Sequence, residues 1–374
     1  MKVLLVGAGG YGTEYVKRLL VSDNPDITFE GIVDPYFATC PKREDIVNAN
    51  IPVYDTMEGF YSKHTADFAI ICTPPFLHME QSICALKHGS YVLCEKPVAP
   101  TLAEAEKMEQ AEKEYGKWIA IGYQWSFSDA ITELKKDILE GKLGKPVSLK
   151  TMISWPRNRA YYARGGGWGG KLELNGKPLL DSIASNACAH YLHNMLFVLG
   201  NRMNESTTVS EIEGNCLKAN DIENFDTCSL RLTTREGAKL YYVASHAAKE
   251  VRNPVFEYTF ENATVSFSED EGSVITAKFA DGSQKVYGNP FADAFEKIGI
   301  CVDAIKKGTT PICTVRTAMP HTELIERIWK EIPIEAFSTD DIYENDKNDG
   351  VYVKNLFETM VKAYDECKLL SEVV

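Results

Sequence analysis

The sequence predicts two domains of different class. Residues 1–122 read as an α/β domain with a doubly wound parallel sheet, and residues 123–374 as an α+β domain with an open, mostly antiparallel sheet. Three observations carry that expectation. Short apolar runs alternate with helical patterns through the first third, which is how a parallel sheet is wound. The first apolar run passes through a glycine-rich turn straight into a helix. Beyond Gly122 the pattern changes to strands at hairpin spacing, and 374 residues suffice for two separate cores.

Val3 to Val6 reads as a buried strand that stops at Gly7, after which Tyr11, Tyr15, Val16, Leu19 and Leu20 recur at helix spacing. A second strand runs from Thr28 to Val33, followed by a short one at Ile51–Tyr54 and a helix near Met57–Ser62. Phe68–Thr73 is a buried run stopped by Pro74-Pro75. A helix from about Leu77 ends at Gly89, and the strand Tyr91–Cys94 closes on Glu95-Lys96-Pro97. Thr101-Leu-Ala-Glu104 is a capping box that opens a helix to about Tyr115, and Trp118–Gly122 is the next strand.

In the second domain a helix covers Ser128–Glu140, Pro146–Ser154 alternates with period two, and Trp155–Lys177 reads as a long irregular loop. A helix follows from Asn186 to Leu199. Strands are expected at Cys228–Leu232, Lys239–Ala244, Glu257–Phe260, Thr264–Phe267 and Ile275–Phe279, with Asp281-Gly282 as a hairpin turn. Helices at Ala292–Lys307, His321–Glu331 and Val351–Leu370 complete the chain, and the acidic Thr339–Asp349 reads as a solvated loop.

Composition narrows the function. A hydrophobic content of 44% with 25% charged residues is that of a globular protein, and the net charge of −13 argues against nucleic acid or an anionic membrane as partner. Ten cysteines show no CxxC pair and no metal-ligand spacing, and Cys72, Cys94 and Cys301 sit in apolar runs. That usage suits a reducing cytoplasm. No stretch approaches the roughly 18 apolar residues of a spanning helix, and the apolar start is too short for a signal peptide.

Gly7-Ala8-Gly9-Gly10-Tyr11-Gly12 is a GxGxxG turn between strand and helix. Its glycines suit a tight turn, a close approach to pyrophosphate, and close helix–strand packing, while the helix start offers N–H groups to the phosphates. Asp34 ends the second strand a little over twenty residues on, where a carboxylate binds an adenosine ribose and repels a 2′-phosphate. This is a Rossmann domain, and it favours NAD over NADP. Ligands bind such sheets beyond the carboxyl ends of the strands. Gly7, Asp34, Thr73-Pro74-Pro75, Glu95-Lys96 and Tyr123-Gln124 all lie at strand ends and are expected to converge there.

Together, Gly7-Ala-Gly-Gly-Tyr-Gly12, Val33-Asp34-Pro35, Thr73-Pro74-Pro75-x-x-His78 and Glu95-Lys96-Pro97 resemble the Gfo/Idh/MocA oxidoreductases, a family of sugar and inositol dehydrogenases. The resemblance implies a Rossmann domain followed by an open antiparallel sheet. It also implies contacts to NAD from the glycine turn, Asp34, the Thr73–Pro75 loop, His78, Glu95, Lys96 and Gln124, and pairing into a homodimer or homotetramer through the sheet face. Lys96 is then the residue that hydrogen-bonds the substrate hydroxyl and stabilises oxyanion character beside the nicotinamide.

Asn186, His190, His193 and Asn194 form a polar stripe at i, i+4, i+7 and i+8 on an otherwise apolar helix. The family pattern there is an acid, a histidine four residues on, and often a second acid. His190 matches the histidine, whereas Asn186 and His193 stand where acids are expected. An amide cannot take a proton, so His190 is the general base, with Asp181 able to restore a carboxylate if the preceding loop folds back. A metal held by His190 and His193 lacks a third ligand, so none is assigned. Trp155, Arg157, Arg164 and Trp168 belong to a loop with five glycines between 165 and 170; aromatics and arginines can hold a sugar face, its hydroxyls or a carboxylate. The reaction expected is hydride transfer between NAD and a sugar, polyol or sugar acid. Two alternatives stand beside it: a glycosidase or lyase that oxidises its substrate transiently, and a non-catalytic NAD or sugar sensor.

Overall fold

The computed structural model describes residues 1–22, 24–292, 294–345 and 347–373. The chain divides into two compact units: Met1–Tyr123 with Phe295–Met319, and Gln124–Ala294 with Pro320–Val374. The sequence reading assigned everything after 122 to the second domain, whereas residues 295–319 pack with the first. They do so because Ile121 donates its N–H to Cys313 O (2.9 Å), the indole N–H of Trp118 reaches Thr309 O (3.1 Å), and Lys297 is inserted against Glu95.

The first unit is a six-stranded sheet in the order β3-β2-β1-β4-β5-β6, with strands Lys2–Val6 (β1), Thr28–Val33 (β2), Val53–Tyr54 (β3), Phe68–Ile71 (β4), Tyr91–Cys94 (β5) and Ile119–Ile121 (β6). Every pairing is parallel. Parallel strands are covered on both faces, which is why β1 and β4 are runs of Val, Leu, Ile, Phe and Ala with every residue from Val3 to Val6 and from Phe68 to Ile71 buried. The capping box at Thr101 and Glu104 forms as expected and opens the helix Leu102–Tyr115, which Gly116 ends in the left-handed conformation.

The second unit is built on a nine-stranded mixed sheet. Its strands are Pro146–Ser154 (β7), then, after a small hairpin of Glu173–Leu174 (β8) and Lys177–Pro178 (β9), Val209–Lys218 (β10), Thr227–Thr234 (β11), Lys239–Ser245 (β12), Arg252–Phe260 (β13), Ala263–Ser268 (β14), Ile275–Phe279 (β15), Gln284–Gly288 (β16) and Ile334–Ala336 (β17). Their order is β16-β15-β14-β13-β7-β12-β11-β10-β17. Only the β7–β12 and β10–β17 pairs are parallel. The Asp281-Gly282 turn joins β15 to β16 with Gly282 at φ +88°.

Four expectations give way here. The segment Trp155–Lys177 is not irregular throughout: Arg159–Gly167 is a kinked helix, capped by the Asn158 side chain on Tyr161 N–H. The helix expected from Asn186 begins at Ala189. Within the acidic stretch, Ile342–Asn345 (β18) pairs with Gly350–Val353 (β19); the helix expected from Val351 follows at Leu356–Glu366. That helix buries Leu356, Met360, Ala363 and Tyr364 against Met152, Tyr241 and Val243. The sheet face at β7 and β12 is therefore covered by the chain itself.

Candidate active site

Six strand ends lie along one edge of the first sheet, and five backbone hydrogen bonds stitch them together. Gly7 N–H donates to Val33 O (2.9 Å), Asp34 N–H to Tyr54 O (2.9 Å), Cys72 N–H to Val6 O (2.8 Å), Glu95 N–H to Ile71 O (2.8 Å) and Gly122 N–H to Cys94 O (2.7 Å). The glycine turn bends over this edge. Gly7 has φ +90°, and a Cβ there would stand 2.6 Å from Cys72 O. A Cβ on Gly12 would stand 2.1 Å from Gly7 O, so strand end and helix start meet backbone to backbone. A Cβ on Gly9 meets nothing within 4 Å. Packing forbids a side chain at 7 and 12; at Gly9 the open space fits a ligand instead.

That difference separates folding from binding. Gly12→Ala is expected to cost about 1–3 kcal/mol of stability, as overpacking does. Gly9→Ala should leave the melting midpoint unchanged while weakening NAD binding at least about tenfold, since it is the pyrophosphate approach that a methyl group would block. Thermal denaturation and NAD titration of the two variants would check both outcomes.

Asp34 uses one carboxylate oxygen to accept from Ala8 N–H (2.8 Å) and the other from Tyr36 N–H (2.8 Å). It fixes the glycine turn to the end of β2, and each oxygen keeps a second lone pair for a ribose hydroxyl. Gly10, at φ +52°, and Tyr11, stacked on Phe295 at 5.7 Å, complete the turn. The Thr73 hydroxyl donates to Gln81 Oε1 (2.5 Å), and Pro74-Pro75 start a short 3₁₀ turn. The residues fit a dinucleotide.

Two residues expected to contact the cofactor, His78 and Glu95, are buried. His78 is 0% exposed, with Nδ1 2.8 Å from Pro97 O and Nε2 2.9 Å from Thr73 O. Burial holds its pKa below the usual value, and a neutral ring donates to one carbonyl at a time. It ties the Thr73 loop to the Lys96-Pro97 turn, whose peptide is cis. Glu95 is 6% exposed; its Oε1 accepts from Tyr15 OH (2.5 Å) and Lys297 Nζ (2.5 Å), while Oε2 accepts from Lys96 N–H (3.2 Å). Burial would raise its pKa, but the Lys297 ammonium, the Tyr15 hydroxyl and Lys96 hold it below the ordinary carboxylate range. Gly122 gives the carboxylate room, since a Cβ there would stand 2.7 Å from Oε1. Lys96, half-buried, is thus carried on a backbone anchored from both sides.

Sequence reasoning missed Lys297. It is 1% exposed on the helix Glu296–Lys307, and the signal was there: Lys297 shares a face with the buried Cys301 and Ala304, where a lysine needs a partner.

In the second unit the polar stripe divides. Asn186 precedes its helix and donates from Nδ2 to Asp181 Oδ1 (2.8 Å), whose other oxygen accepts from Gly170 N–H (2.6 Å). The loop does fold back to bring a carboxylate to Asn186. His190 is half-buried near the helix start. His193 is not beside it for substrate: it is 1% exposed, with Nε2 3.1 Å from Ser126 Oγ and its ring near Phe197 and His321. Burial, helped by His321 and Lys135, keeps it uncharged, and Asn194 is likewise buried, donating to Tyr258 OH (3.1 Å). The helix Ala189–Val198 is buried on nearly all sides, so the far half of the stripe faces the core. Gln124, in the 3₁₀ turn Gln124–Phe127, is half-buried and opens this second unit. Trp155 donates its indole N–H to Asn253 Oδ1 (2.9 Å), and its ring meets that of Tyr191 at 5.7 Å. Arg157 lies over Trp155 and Tyr161, and Arg164 over Tyr161 and Trp168. Among the described residues no three His, Cys, Asp or Glu converge as a metal site, no cysteine is bridged, and no helix is long and apolar enough to cross a membrane.

A parallel sheet in the 3-2-1-4-5-6 order, with a glycine turn and Asp34 at its carboxyl edge, has the architecture of a dinucleotide-binding unit. Residues 1–123 match the model of the GFO_IDH_MocA oxidoreductase family, described as having an NAD-binding Rossmann fold. Among curated proteins the chain is 28% identical over 192 residues to 2,7-anhydro-N-acetylneuraminate hydratase of Escherichia coli, covering 51% of this chain and 46% of that protein. It is 32% identical over 150 residues to inositol 2-dehydrogenase of Renibacterium salmoninarum, covering 40% and 44%. The chain thus spans about half the length of the curated relatives it matches. The WlbA dehydrogenase of Bordetella pertussis, solved with NADH and UDP-GlcNAcA, shares the fold at a TM-score of 0.70 and 19% identity, covering 88% of this chain and 95% of that one.

Proposed function

We propose that this protein is an NAD-dependent oxidoreductase that transfers a hydride between the nicotinamide and a CH–OH group of a sugar, polyol or sugar acid. The observation that carries the reading is the carboxyl edge of the first sheet, where the glycine turn, Asp34 and Lys96 lie together. NAD supplies the hydride acceptor. Lys96 donates to the reacting oxygen and stabilises its developing negative charge. His190 exchanges the hydroxyl proton, and the Asp181–Asn186 pair in the preceding loop orders the start of its helix. The inositol dehydrogenase relative supports the substrate class. The first unit serves the cofactor and the second the substrate and self-association, as a cytoplasmic homodimer or homotetramer; size-exclusion chromatography with light scattering reads the assembly.

The test is NADH absorbance with NAD across a panel of sugars, polyols and uronates. Turnover on one class is the expected result, and His190→Ala should reduce it about 10²–10⁴-fold, the usual worth of a general base. Tight NAD binding without turnover on any member would sink the dehydrogenase reading. A second reading, a lyase or glycosidase that oxidises its substrate only transiently, is favoured by the relative named as a hydratase and by Asn186 where an acid is expected. It requires product from an anhydro-sugar or glycoside with no net NADH.

A further inference from the structure

The segment after β7 holds positive charge that its own unit does not neutralise. Of its three arginines, Arg159 is paired with Glu344 (2.6 Å) and Asp349 (2.8 Å). Arg157 and Arg164 have no carboxylate within 4.0 Å among the described residues, in a chain whose net charge is −13. Arg164 donates to Tyr161 O, and its guanidinium stands 3.7 Å from the Tyr161 ring centroid and 4.4 Å from that of Trp168. Among the described residues the Arg157 guanidinium donates only to its neighbour Pro156 O, at 3.3 Å, and lies 5.1 Å from Tyr161 and 5.8 Å from Trp155.

Three buried polar atoms around these rings lack a hydrogen-bond partner: Arg157 Nε, Tyr162 OH and His246 Nε2. They are linked through Tyr161, whose ring is 5.2 Å from Tyr162 and 5.5 Å from His246. Buried polar atoms are nearly always paired, so three in one cluster point to a missing partner. Their chemistry says which. Arg157 Nε is a donor, and the Tyr162 hydroxyl can be one. His246 Nδ1 is 2.6 Å from Trp155 O, a carbonyl that only accepts, so the ring proton is on Nδ1 and Nε2 is an acceptor. Burial and the nearby Arg157 and Arg164 push the His246 pKa down to about 3, which keeps that lone pair available. Arg157 and Tyr161 also line an open groove of about 430 Å³ with Asn158 and Tyr352.

We infer that Arg157, Tyr162 and His246 form a subsite for an anionic oxygen group on a hydroxylated ligand, a carboxylate or a phosphate ester carried by a sugar. The anion answers Arg157 and Tyr162 with acceptor oxygens and offsets the charge of both arginines; an adjacent hydroxyl donates to His246 Nε2. Trp155, whose carbonyl holds His246, lies against Tyr191 of the helix that carries His190, in the same unit. The inference rests on the oxidoreductase reading for the ligand being a substrate. It narrows that substrate to acidic sugars.

Isothermal titration of the NAD-saturated protein with D-glucuronate, D-glucose 6-phosphate and D-glucose tests it by binding alone. One of the two anionic sugars is expected to bind at least about tenfold more tightly than glucose, as a charged hydrogen bond provides. Arg157→Ala should abolish that preference, the anionic sugar binding no more tightly than glucose to the same variant, and Arg157→Lys, which keeps the charge without Nε–H, should retain part of it. The better anion names the group. Equal binding of charged and neutral sugars, binding of none, or a preference that survives Arg157→Ala in a protein of normal melting midpoint would overturn the subsite. Uronate binding without NADH formation would leave the subsite standing and remove the dehydrogenase reading. Oxidation of a neutral sugar with no preference for either anionic sugar would do the reverse.

Discussion

Lys96→Met is expected to lower kcat about 10²–10³-fold while leaving NAD affinity close to that of the parent protein, the loss that follows removal of one donor to a developing oxyanion. Methionine matches the reach of lysine and removes only the ammonium. The backbone at 96 should hold its place, because it is anchored by Glu95 Oε2 on Lys96 N–H and by His78 on Pro97 O. Steady-state kinetics on the best substrate, with NAD titration by tryptophan fluorescence, would separate the two effects. An equal loss of NAD affinity and turnover would mean that Lys96 holds the cofactor and does no chemistry on the substrate.

Lys297→Met should be the most destabilising single change in the first unit, by about 3–5 kcal/mol, because it leaves a buried carboxylate without its cation. Glu95→Gln in the same background should recover much of that loss, since an amide in the same space carries no charge to strand. Denaturant unfolding of the two single variants and the double variant gives the coupling directly. The pH dependence has a definite sign. The folded-state pKa of Glu95 is depressed below 4.5, so its stabilisation is present above about pH 4.5 and is lost as pH falls through the folded value. In Lys297→Met the upward push of burial prevails, the carboxyl folds protonated, and stability falls as pH rises instead. Midpoints measured between about pH 4 and 8 would reveal the reversal. A variant with unchanged stability and the same pH profile would show that the pair is solvated and contributes little.

Much of the first unit was legible because its signals are local. The run Val3–Val6, the GxGxxG turn and the Thr101 capping box each announce themselves within a few residues, and each forms in the structure. What was not legible depends on partners far along the chain. Glu95 reads as a strand-end acid, and nothing near it in sequence announces Lys297, 202 residues later, as the cation that balances its charge. His190 and His193 are three residues apart in one pattern, and only the surrounding Ser126, Phe197 and His321 tell that the second is core. The helix starts only at Ala189, which leaves Asn186 before it and hydrogen-bonded to Asp181, a partner that periodicity does not reveal.

The return of residues 295–319 to the first unit also sets an order of events during synthesis. Chains emerge from the ribosome N-terminus first, and a domain encoded continuously can fold while the rest is still being made. This one cannot close its core then: the cation for Glu95 and the strand-like cover on β6 arrive only after the whole nine-stranded sheet except β17 has been translated. Until that point Glu95 faces an incomplete interior, and a nascent or nicked chain ending before 295 carries an uncompensated carboxylate where the finished protein carries a pair. Ribosome-stalled chains of increasing length should accordingly gain NAD-binding competence in one late step, well past residue 123.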